Sequence, residues 1–262
     1  MDFSQQIELG KTGLKAGRLG WGASYNAPAE SYEMGFERGC NYFYWLSRRP
    51  HMKTAIINLC RQGKRDQLVI SVQSYVRSSA LMERSLAKAL KALSLDHVDV
   101  FMLGYRNKFP SEKIMERALD LKKKGMCRFL GLSGHQRALF PKLAEQGLFD
   151  IYQVRYNAAH RGAETETFPY MKDNGVVSFT ATRWGHLLKP GRMPRDEKPL
   201  ISSECYRFVL SNPHVHVCLS GPKNREEMKA ALHSLESPPL DEAEMERIRR
   251  IGDHVHRRGL IF

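Results

Sequence analysis

The 262-residue chain lacks long apolar runs and has few acidic residues relative to basic ones. No uninterrupted apolar segment approaches the ~18 residues that span a bilayer, so no membrane association is expected. The opening segment, MDFSQQIELGKTG, lacks the basic and apolar regions of a signal peptide, which indicates a cytoplasmic location. With 28 Asp and Glu against 41 Lys and Arg, the formal net charge is +13, which favours anionic partners.

Cysteine is scarce, and its spacing fits neither a disulfide framework nor a structural zinc site. The five cysteines are odd in number, scattered, and without a CxxC pair, so we expect reduced residues in the core. Clusters of His, Cys, Asp or Glu at metal-ligand spacing are also lacking. The closest match, HVH at 214–216, fits the start of a strand equally well, and no metal is predicted.

The basic residues are spread over several segments of the sequence, such as LKKKG, KPGRMPRDEK and RIRR. Nucleic-acid-binding proteins usually concentrate Lys and Arg in one arm or on one helix face, with aromatic side chains that stack on bases. The spread-out pattern therefore predicts no nucleic-acid partner.

Short apolar or β-branched runs alternate with longer amphipathic segments along the chain, many of which end in Gly. Eight strands alternating with eight helices imply a parallel sheet with covering helices, and eight such units close most naturally into an α/β (β/α)8 TIM barrel. The predicted strands are 17–23, 41–46, 67–73, 98–103, 127–132, 150–155, 176–181 and 215–219. The predicted helices are 31–38, 51–62, 79–93, 111–124, 136–146, 164–173, 201–211 and 224–235.

Three further segments complete the predicted barrel. A short β-hairpin turns at Gly10 to Gly13 before the first barrel strand. The segment 185–200, rich in Pro and Gly, is predicted to be a long βα loop after the seventh strand, and 241–259 is predicted to be an extra C-terminal helix. No domain boundary is visible, so residues 1–262 are predicted to form a single domain.

The segment HVHVCLSGPKNREEMKAAL, residues 214–232, predicts a strand, a tight loop and the start of a helix. Asn224 is a favourable N-cap residue, and free backbone N–H groups at a helix start form an anion site. Lys223 and Arg225 add two cations beside it. A phosphate group would fit there. The alternative is an ordinary strand-to-helix turn with solvated basic residues.

At the predicted strand ends the sequence resembles the aldo/keto reductase family. The resemblance rests on IELGKTGL in the hairpin, GCNYF at strand two, KRDQLVIS at strand three, LDHVDVFML at strand four, FLGLSGH at strand five, YQVRYN at strand six and LSGPKNREEM at strand eight. The order and spacing of these fragments are specific together, and they cover almost the whole chain. The resemblance implies a (β/α)8 barrel that transfers hydride from NADPH to the carbonyl group of a small molecule.

The resemblance also implies a nicotinamide site at the ends of three strands. Ser133 and Gln153 match positions that bind the carboxamide, and Phe179 matches an aromatic position that stacks on the nicotinamide ring. Gly134 departs from the family pattern, in which an Asn commonly follows the Ser. The alternative is that these side chains simply fill the barrel, as inward-facing strand residues must.

The phosphate and adenine side of the NADP(H) site is implied by the segment after strand eight. Ala231 replaces an Asn that usually helps to hold the adenine in this family. Glu227 matches an adenine-side position. The implied phosphate loop consists of Ser220, Gly221, Lys223 and Arg225.

The family's catalytic positions hold residues that cannot perform the usual proton transfer. The resemblance implies a Tyr general acid, a Lys that lowers its pKa, an Asp paired with the Lys, and a His that orients the substrate oxygen. Aligned through GCNYF, LVISVQ and VDVFML, these four positions are Arg49, Gln73, Tyr44 and Gly104 in that order, with Arg48 the neighbouring register for the first. Arg stays protonated, Gln does not titrate and Gly offers no donor, so the usual tetrad is interpreted as lost.

Other side chains at the strand ends could have taken over the role of the acid. Tyr44 and Tyr105 end strands two and four, and an Arg within ~4 Å could lower the pKa of a phenol. His135 and His186 are further candidates. The alternative is that both tyrosines are rim residues with their hydroxyl groups in water, and that both histidines are surface or hydrogen-bonded residues.

Three functions remain open from the sequence. The first is an NADP(H)-binding oxidoreductase of aldo/keto reductase type with a remodelled active site, which acts on an unknown small carbonyl compound. The second is a catalytically inactive pseudoenzyme that serves as a nucleotide sensor or interaction partner. The third is a non-redox enzyme that uses Arg49, Arg106 and Arg183 to bind an anionic substrate. The sequence sets neither the substrate nor the oligomeric state.

Overall fold

The computed structural model describes residues 2–22, 25–47, 49–104 and 106–258. An antiparallel hairpin, β1 (Ile7–Glu8) and β2 (Lys15–Ala16), comes first in the chain. The strands that follow are β3 (Leu19–Trp21), β4 (Tyr42–Trp45), β5 (Val69–Ser74), β6 (Val98–Leu103), β7 (Cys127–Ser133), β8 (Ile151–Arg155), β9 (Gly175–Phe179) and β10 (Val217–Ser220).

Within the described ranges, these eight strands pair in parallel with their neighbours in the chain, and β10 pairs with β3 to close the sheet. Parallel strands need a crossover connection, and here each crossover contains a helix. The predicted (β/α)8 barrel with an N-terminal hairpin is therefore confirmed. The assignment of residues 1–262 to a single domain stays a prediction.

Helices cover the outside of the barrel, and the last of them is the predicted extra C-terminal helix. None of the helices in the described ranges combines the length and the apolarity that crossing a bilayer requires. The helices are α1 (Ala29–Glu37), α2 (Pro50–Arg61), α3 (Ser79–Leu93), α4 (Glu112–Lys123), α5 (Leu139–Glu145), α6 (Ala163–Glu166), α7 (Ser202–Leu210), α8 (Arg225–Glu236) and α9 (Glu242–Arg258).

Helix α3 shows how the sequence sets these elements. Met82, Leu86 and Leu90 recur at helical spacing and lie on the buried face, and the helix ends where Ser94 adopts a left-handed conformation with φ of 57°. The predicted limits of this helix and of strand β6 agree with the structure. The helical spacing of apolar residues therefore indicates the extent of α3, and the left-handed Ser94 marks its C-terminal end.

The predicted helix 164–173 differs from the structure. Helix α6 ends at Glu166, and a separate 3-10 turn spans Phe168–Tyr170. The break lies at Thr167, which has φ of −133°, and Pro169 lacks the N–H donor that a continuous α-helix would need at its position. The long loop after β9 is present as predicted, with two short 3-10 turns inside it.

The hairpin closes the amino end of the barrel. Leu9 and Leu14 are buried and pack with the side chains that fill the barrel interior. Gly10 has φ of 59°, and a Cβ atom there would lie 2.4 Å from the backbone nitrogen of Gly175. Only glycine combines this left-handed conformation with such a close approach to another backbone.

A buried carboxylate links three strands near the same end of the barrel. The Asp99 side chain on β6 has no exposed surface, and its Oδ2 accepts hydrogen bonds from Arg65 Nη1 at 2.9 Å and from the Ile70 N–H at 2.9 Å. Its Oδ1 accepts one from Arg128 Nη1 at 3.0 Å. Burial of a carboxylate is tolerated when its oxygens are paired in this way.

All five cysteines are free thiols, as expected from the sequence. Four of them are buried, and Cys60 is half-buried.

We predict that Asp99→Asn lowers the free energy of unfolding by roughly 2–4 kcal/mol, because it removes the charge that two guanidinium groups and a buried N–H require. Urea unfolding followed by circular dichroism measures this loss. Asp96→Asn is the matched control, since Asp96 pairs with His97 on the surface with 90% of its side chain exposed. Equal unfolding midpoints for the two variants would contradict the structural role of Asp99.

Candidate active site

A cavity of about 570 Å³ opens at the carboxyl end of the barrel. Closure of the sheet brings all eight strand ends to this rim, where active sites of such barrels lie. Residues predicted at the positions of the catalytic tetrad and residues predicted to bind the cofactor both line the cavity. From the tetrad positions these are Tyr44, Arg49 and Gln73, and from the cofactor positions Ser133, Gln153, Phe179, Ser220 and Gly221.

Three of the tetrad positions form one interlocked unit. The Tyr44 hydroxyl donates a hydrogen bond to Gln73 Oε1 at 2.6 Å, and both side chains are buried. A Cβ atom on Gly104 would lie 2.3 Å from Gln73 Nε2. The Gln73 amide therefore occupies the space that any larger residue at position 104 would need.

The environment of Tyr44 makes its phenol a weaker acid than a free tyrosine. Burial raises the pKa of Tyr44, and the neighbouring Tyr75 hydroxyl raises it further. A hydrogen bond from the Gln153 side chain opposes this pKa increase in part. The surrogate-acid role of Tyr44 stays a prediction, and Tyr105, the other candidate acid, lies outside the described residues.

The nicotinamide positions of the resemblance lie side by side on three strands. Ser133 pairs in register with Gln153, and Phe179 ends the next strand, with its ring centroid 5.6 Å from that of His135. Gln153 Oε1 is buried and finds no hydrogen-bond partner among the residues that the structure describes. A buried amide oxygen without a donor is costly, so a ligand N–H group fits this position.

The loop after β10 has the predicted strand-to-helix geometry, and α8 begins at Arg225. Asn224 caps the helix, because its Oδ1 accepts a hydrogen bond from the Glu227 N–H at 2.8 Å. Glu227 Oε2 in turn accepts the Lys223 N–H at 2.9 Å, while Lys223 Nζ lies 5.0 Å from the ring centroid of Tyr25. Glu227 therefore holds the loop in place. Its role beside an adenine stays a prediction.

A left-handed segment follows β9 at the cavity rim. Thr180, Arg183 and Trp184 have φ of 62°, 50° and 52°, which is costly for residues other than glycine. The buried Asn157 holds this segment, since its Nδ2 donates to the Thr180 carbonyl at 2.8 Å. Trp184 lines the cavity and is 57% exposed. Trp184 lies in the strand-end segment 179–184, where the sequence predicted site residues, but no role was predicted for it.

The arginines expected to surround a substrate do not gather there. Arg49 lines the cavity, but Arg106 Nη2 donates to the Val76 carbonyl at 2.7 Å, and Arg183 Nη1 donates to the Val255 carbonyl. The expected cluster of three cavity arginines is therefore wrong for two of its members. Both residues follow strand ends near the rim, but their guanidinium groups donate hydrogen bonds to backbone carbonyl groups instead of lining the cavity.

The two candidate histidines differ in position. His135 lines the cavity, and burial together with the nearby Arg155 lowers its pKa. His186 lies in the loop after β9, where burial and the neighbouring Arg192 lower its pKa. Within the described residues, no group of three or more His, Cys, Asp or Glu side chains is arranged to hold a metal ion.

Basic residues that are spread along the sequence gather at one end of the fold. The eight loops after the barrel strands contain thirteen Lys and Arg but two Asp and Glu in the sequence, against 41 and 28 in the whole chain. This end of the barrel therefore carries most of the net charge and attracts anionic ligands. The loops are residues 22–28, 46–49, 75–78, 104–111, 134–138, 156–162, 180–201 and 221–224.

Comparison with known families agrees with this geometry. The model of the Aldo/keto reductase family matches residues 49–200, more than half of the chain. The chain belongs to the aldo/keto reductase family. Aldo-keto reductase AKR11C1 from Bacillus halodurans has the same fold in its apo and holo forms, each with a TM-score of 0.76 and 19% identity. The similarity covers 94% of this aldo/keto reductase and 95% of the apo and 96% of the holo chain.

Two curated relatives differ in what they are named for. The chain is 25% identical over 164 residues to the NADH-specific methylglyoxal reductase of Escherichia coli (strain K12), a match that covers 59% of this chain and 50% of the relative. It is 23% identical over 302 aligned positions to the L-galactose dehydrogenase of Arabidopsis thaliana, covering 94% of each. The chain therefore spans about half the length of the bacterial relative and nearly all of the plant one.

We predict that Asn157→Ala loosens the left-handed segment after β9. Loss of the buried hydrogen bond to Thr180 should lower the free energy of unfolding by about 1–3 kcal/mol and speed amide hydrogen exchange across 180–186. Hydrogen-exchange mass spectrometry measures the local effect.

The matched control is Asn174→Ala. Asn174 Nδ2 also donates to one backbone carbonyl, that of Phe149, at 2.9 Å, but it precedes β9 at the opposite end of the barrel. Its replacement should leave exchange across 180–186 unchanged. Faster exchange there in both variants would mean that the effect is global rather than local.

Proposed function

We propose that this aldo/keto reductase binds NADP(H) and catalyses an oxidoreductase reaction on a small carbonyl compound with a remodelled active site. The observation that carries the proposal is the buried Oε1 of Gln153, which has no donor among the residues that the structure describes and belongs to a side chain that lines the cavity with Ser133 and Phe179. A carboxamide supplies the N–H group that this oxygen needs, and it presents an acceptor that a Ser hydroxyl can satisfy. The donor set therefore fits a nicotinamide.

The chain's residues divide the binding task between the cavity and the loop after β10. Ser133 and Gln153 would hold the carboxamide, and the Phe179 ring would pack on the nicotinamide face. A nicotinamide bound there supplies a hydride for transfer to a carbonyl carbon. The helix start at Arg225, with Ser220 and Gly221 before it, would bind phosphate through backbone and hydroxyl donors.

The preference for NADP(H) over NAD(H) rests on charge. Lys223 and Arg225 are exposed cations at the start of α8, and the loops on this end of the barrel are strongly basic. A 2′-phosphate adds negative charge that such cations stabilise. The relative named as NADH-specific shows that a family member can differ in this preference, so the two side chains need a direct test.

A second candidate is a pseudoenzyme that binds the nucleotide without turning over a substrate. It is favoured by Arg49 and Gln73 at the positions of the usual acid and its Lys partner, and by the raised pKa of Tyr44. NADPH consumption in the presence of a panel of aldehydes and ketones separates the two candidates. Binding without consumption of NADPH for any of these carbonyl compounds would favour the pseudoenzyme.

Binding itself is measured by NADPH titration with tryptophan fluorescence as the readout. Trp184 lines the cavity, whereas Trp21 and Trp45 are buried in the barrel wall, so a change that disappears in Trp184→Phe reports on the cavity. No fluorescence change at millimolar NADPH, together with no binding by calorimetry, would remove the proposed function.

We predict that Lys223→Ala and Arg225→Ala each weaken NADPH binding by ~1–3 kcal/mol and change NADH binding much less, because each removes a charge-assisted contact to the 2′-phosphate. Isothermal titration with both nucleotides measures the difference. Lys229→Ala, an exposed lysine further along α8, is the matched control and should leave both affinities unchanged. An equal loss of NADPH and NADH binding would refute the 2′-phosphate contact.

A further inference from the structure

We propose that Gln73 binds the oxygen of the carbonyl substrate through its side-chain N–H group, and that Tyr44 and Gly104 hold this donor in place. The inference rests on the proposed function, because it assumes a carbonyl substrate in the cavity that Gln73 lines. The Gln73 amide, which does not titrate, would then make the contact with the carbonyl oxygen that an acid makes in the usual tetrad.

The hydrogen bond from Tyr44 decides which way the Gln73 amide points. A phenol has one proton, and the Tyr44 hydroxyl gives it to Gln73 Oε1 at 2.6 Å. The other end of the planar amide, Nε2, therefore points away from Tyr44. It lies over Gly104, in space that is open only because position 104 has no side chain.

The contacts of Tyr44 extend this arrangement into a directed chain. The hydrogen bond from Gln153 stabilises the ionised form of Tyr44, as an N–H donor to the phenol oxygen does. The direction of this effect is that expected of a Gln153 N–H donor. Tyr44 in turn donates to Gln73 Oε1, so the Gln73 N–H group would be the terminal donor. Hydrogen bonds that run in one direction polarise one another, which makes the last donor stronger.

The two ends of this chain of three side chains match the two ligands of the proposed reaction. At one end, Gln153 Oε1 is a buried acceptor with no donor in the described part of the chain, and the carboxamide would satisfy it. At the other end, the Gln73 N–H group would meet the substrate oxygen. Filling the first position would strengthen the donor at the second.

The chemistry balances without a protein acid. If a bound reduced nicotinamide gave a hydride to the carbonyl carbon, the nicotinamide would be oxidised, the C–O π bond would break and its electron pair would move to the oxygen. Gln73 stabilises the negative charge on that oxygen by donating a hydrogen bond and keeps its own proton. Water entering through the open mouth of the cavity supplies the proton of the alcohol and leaves hydroxide.

A binding experiment tests the contact without turnover. Cyclohexanone is titrated into ¹⁵N-labelled protein, with and without NADP⁺, and the side-chain amide signals of Gln73 are identified by their loss in Gln73→Leu. We expect these signals to shift on addition of cyclohexanone, and to shift more with NADP⁺ present. In Tyr44→Phe, which frees the amide to rotate, the shift should be smaller. Unchanged Gln73 signals at the solubility limit of cyclohexanone would overturn the proposal.

Turnover gives an independent readout. Gln73→Leu should lower kcat for carbonyl reduction by roughly 100-fold, the loss typical of a single donor to a developing oxyanion, with NADPH affinity unchanged. Gly104→Ala should also lower kcat, because its Cβ displaces the amide nitrogen. Ser74→Ala is the matched control, since Ser74 neighbours Gln73 but its hydroxyl contacts Ser85 outside the barrel. Unchanged kcat in both Gln73→Leu and Gly104→Ala would contradict the proposal.

The proposed function and the proposed contact of Gln73 can be contradicted separately. Failure of NADPH to bind the wild-type protein contradicts the proposed function, and the cyclohexanone titration without nucleotide still decides whether Gln73 meets a carbonyl oxygen. NADPH binding with fixed Gln73 signals leaves the proposed function intact and overturns the inference about Gln73.

Discussion

Closure of the sheet through the pairing of β10 with β3 is the constraint on which the site depends. It forces the carboxyl ends of the eight barrel strands, β3 to β10, onto one rim, so residues far apart in sequence, such as Tyr44 and Ser220, line one cavity. The same closure gathers basic loops that look scattered in the sequence. A positive field around the cavity follows from the topology and needs no single basic motif.

Inside the cavity, the unusual residues are interdependent. Gln73 needs Gly104 for space and Tyr44 for orientation, since a Cβ atom at position 104 would overlap the amide whose oxygen accepts the Tyr44 proton. Restoring a larger side chain at position 104 alone would displace Gln73. The three residues therefore form one packed unit, whereas Ser133, Gln153 and Phe179 form the surface that we propose binds a nicotinamide.

Sequence periodicity predicted most of the fold because apolar spacing is a property of single elements, as α3 and β6 illustrate. It failed where the backbone leaves the helical conformation, at Thr167. For the site, it located strand ends but not side-chain directions. It placed Arg106 and Arg183 at the rim, yet their guanidinium groups reach backbone carbonyls that no local pattern reveals. The contact between Tyr44 and Gln73 joins two strands, so the sequence pattern of neither strand reveals it.

We propose that this aldo/keto reductase keeps a dinucleotide site while amide and phenol groups replace its proton-transfer residues. A crystal structure determined with NADP⁺ would decide whether this is so. We expect the nicotinamide ring to lie against Phe179, with its carboxamide nitrogen within hydrogen-bond distance of Gln153 Oε1 and the contact between Tyr44 and Gln73 retained beside it. A nucleotide bound elsewhere, or a tyrosine hydroxyl paired with a lysine ammonium next to the nicotinamide, would contradict it.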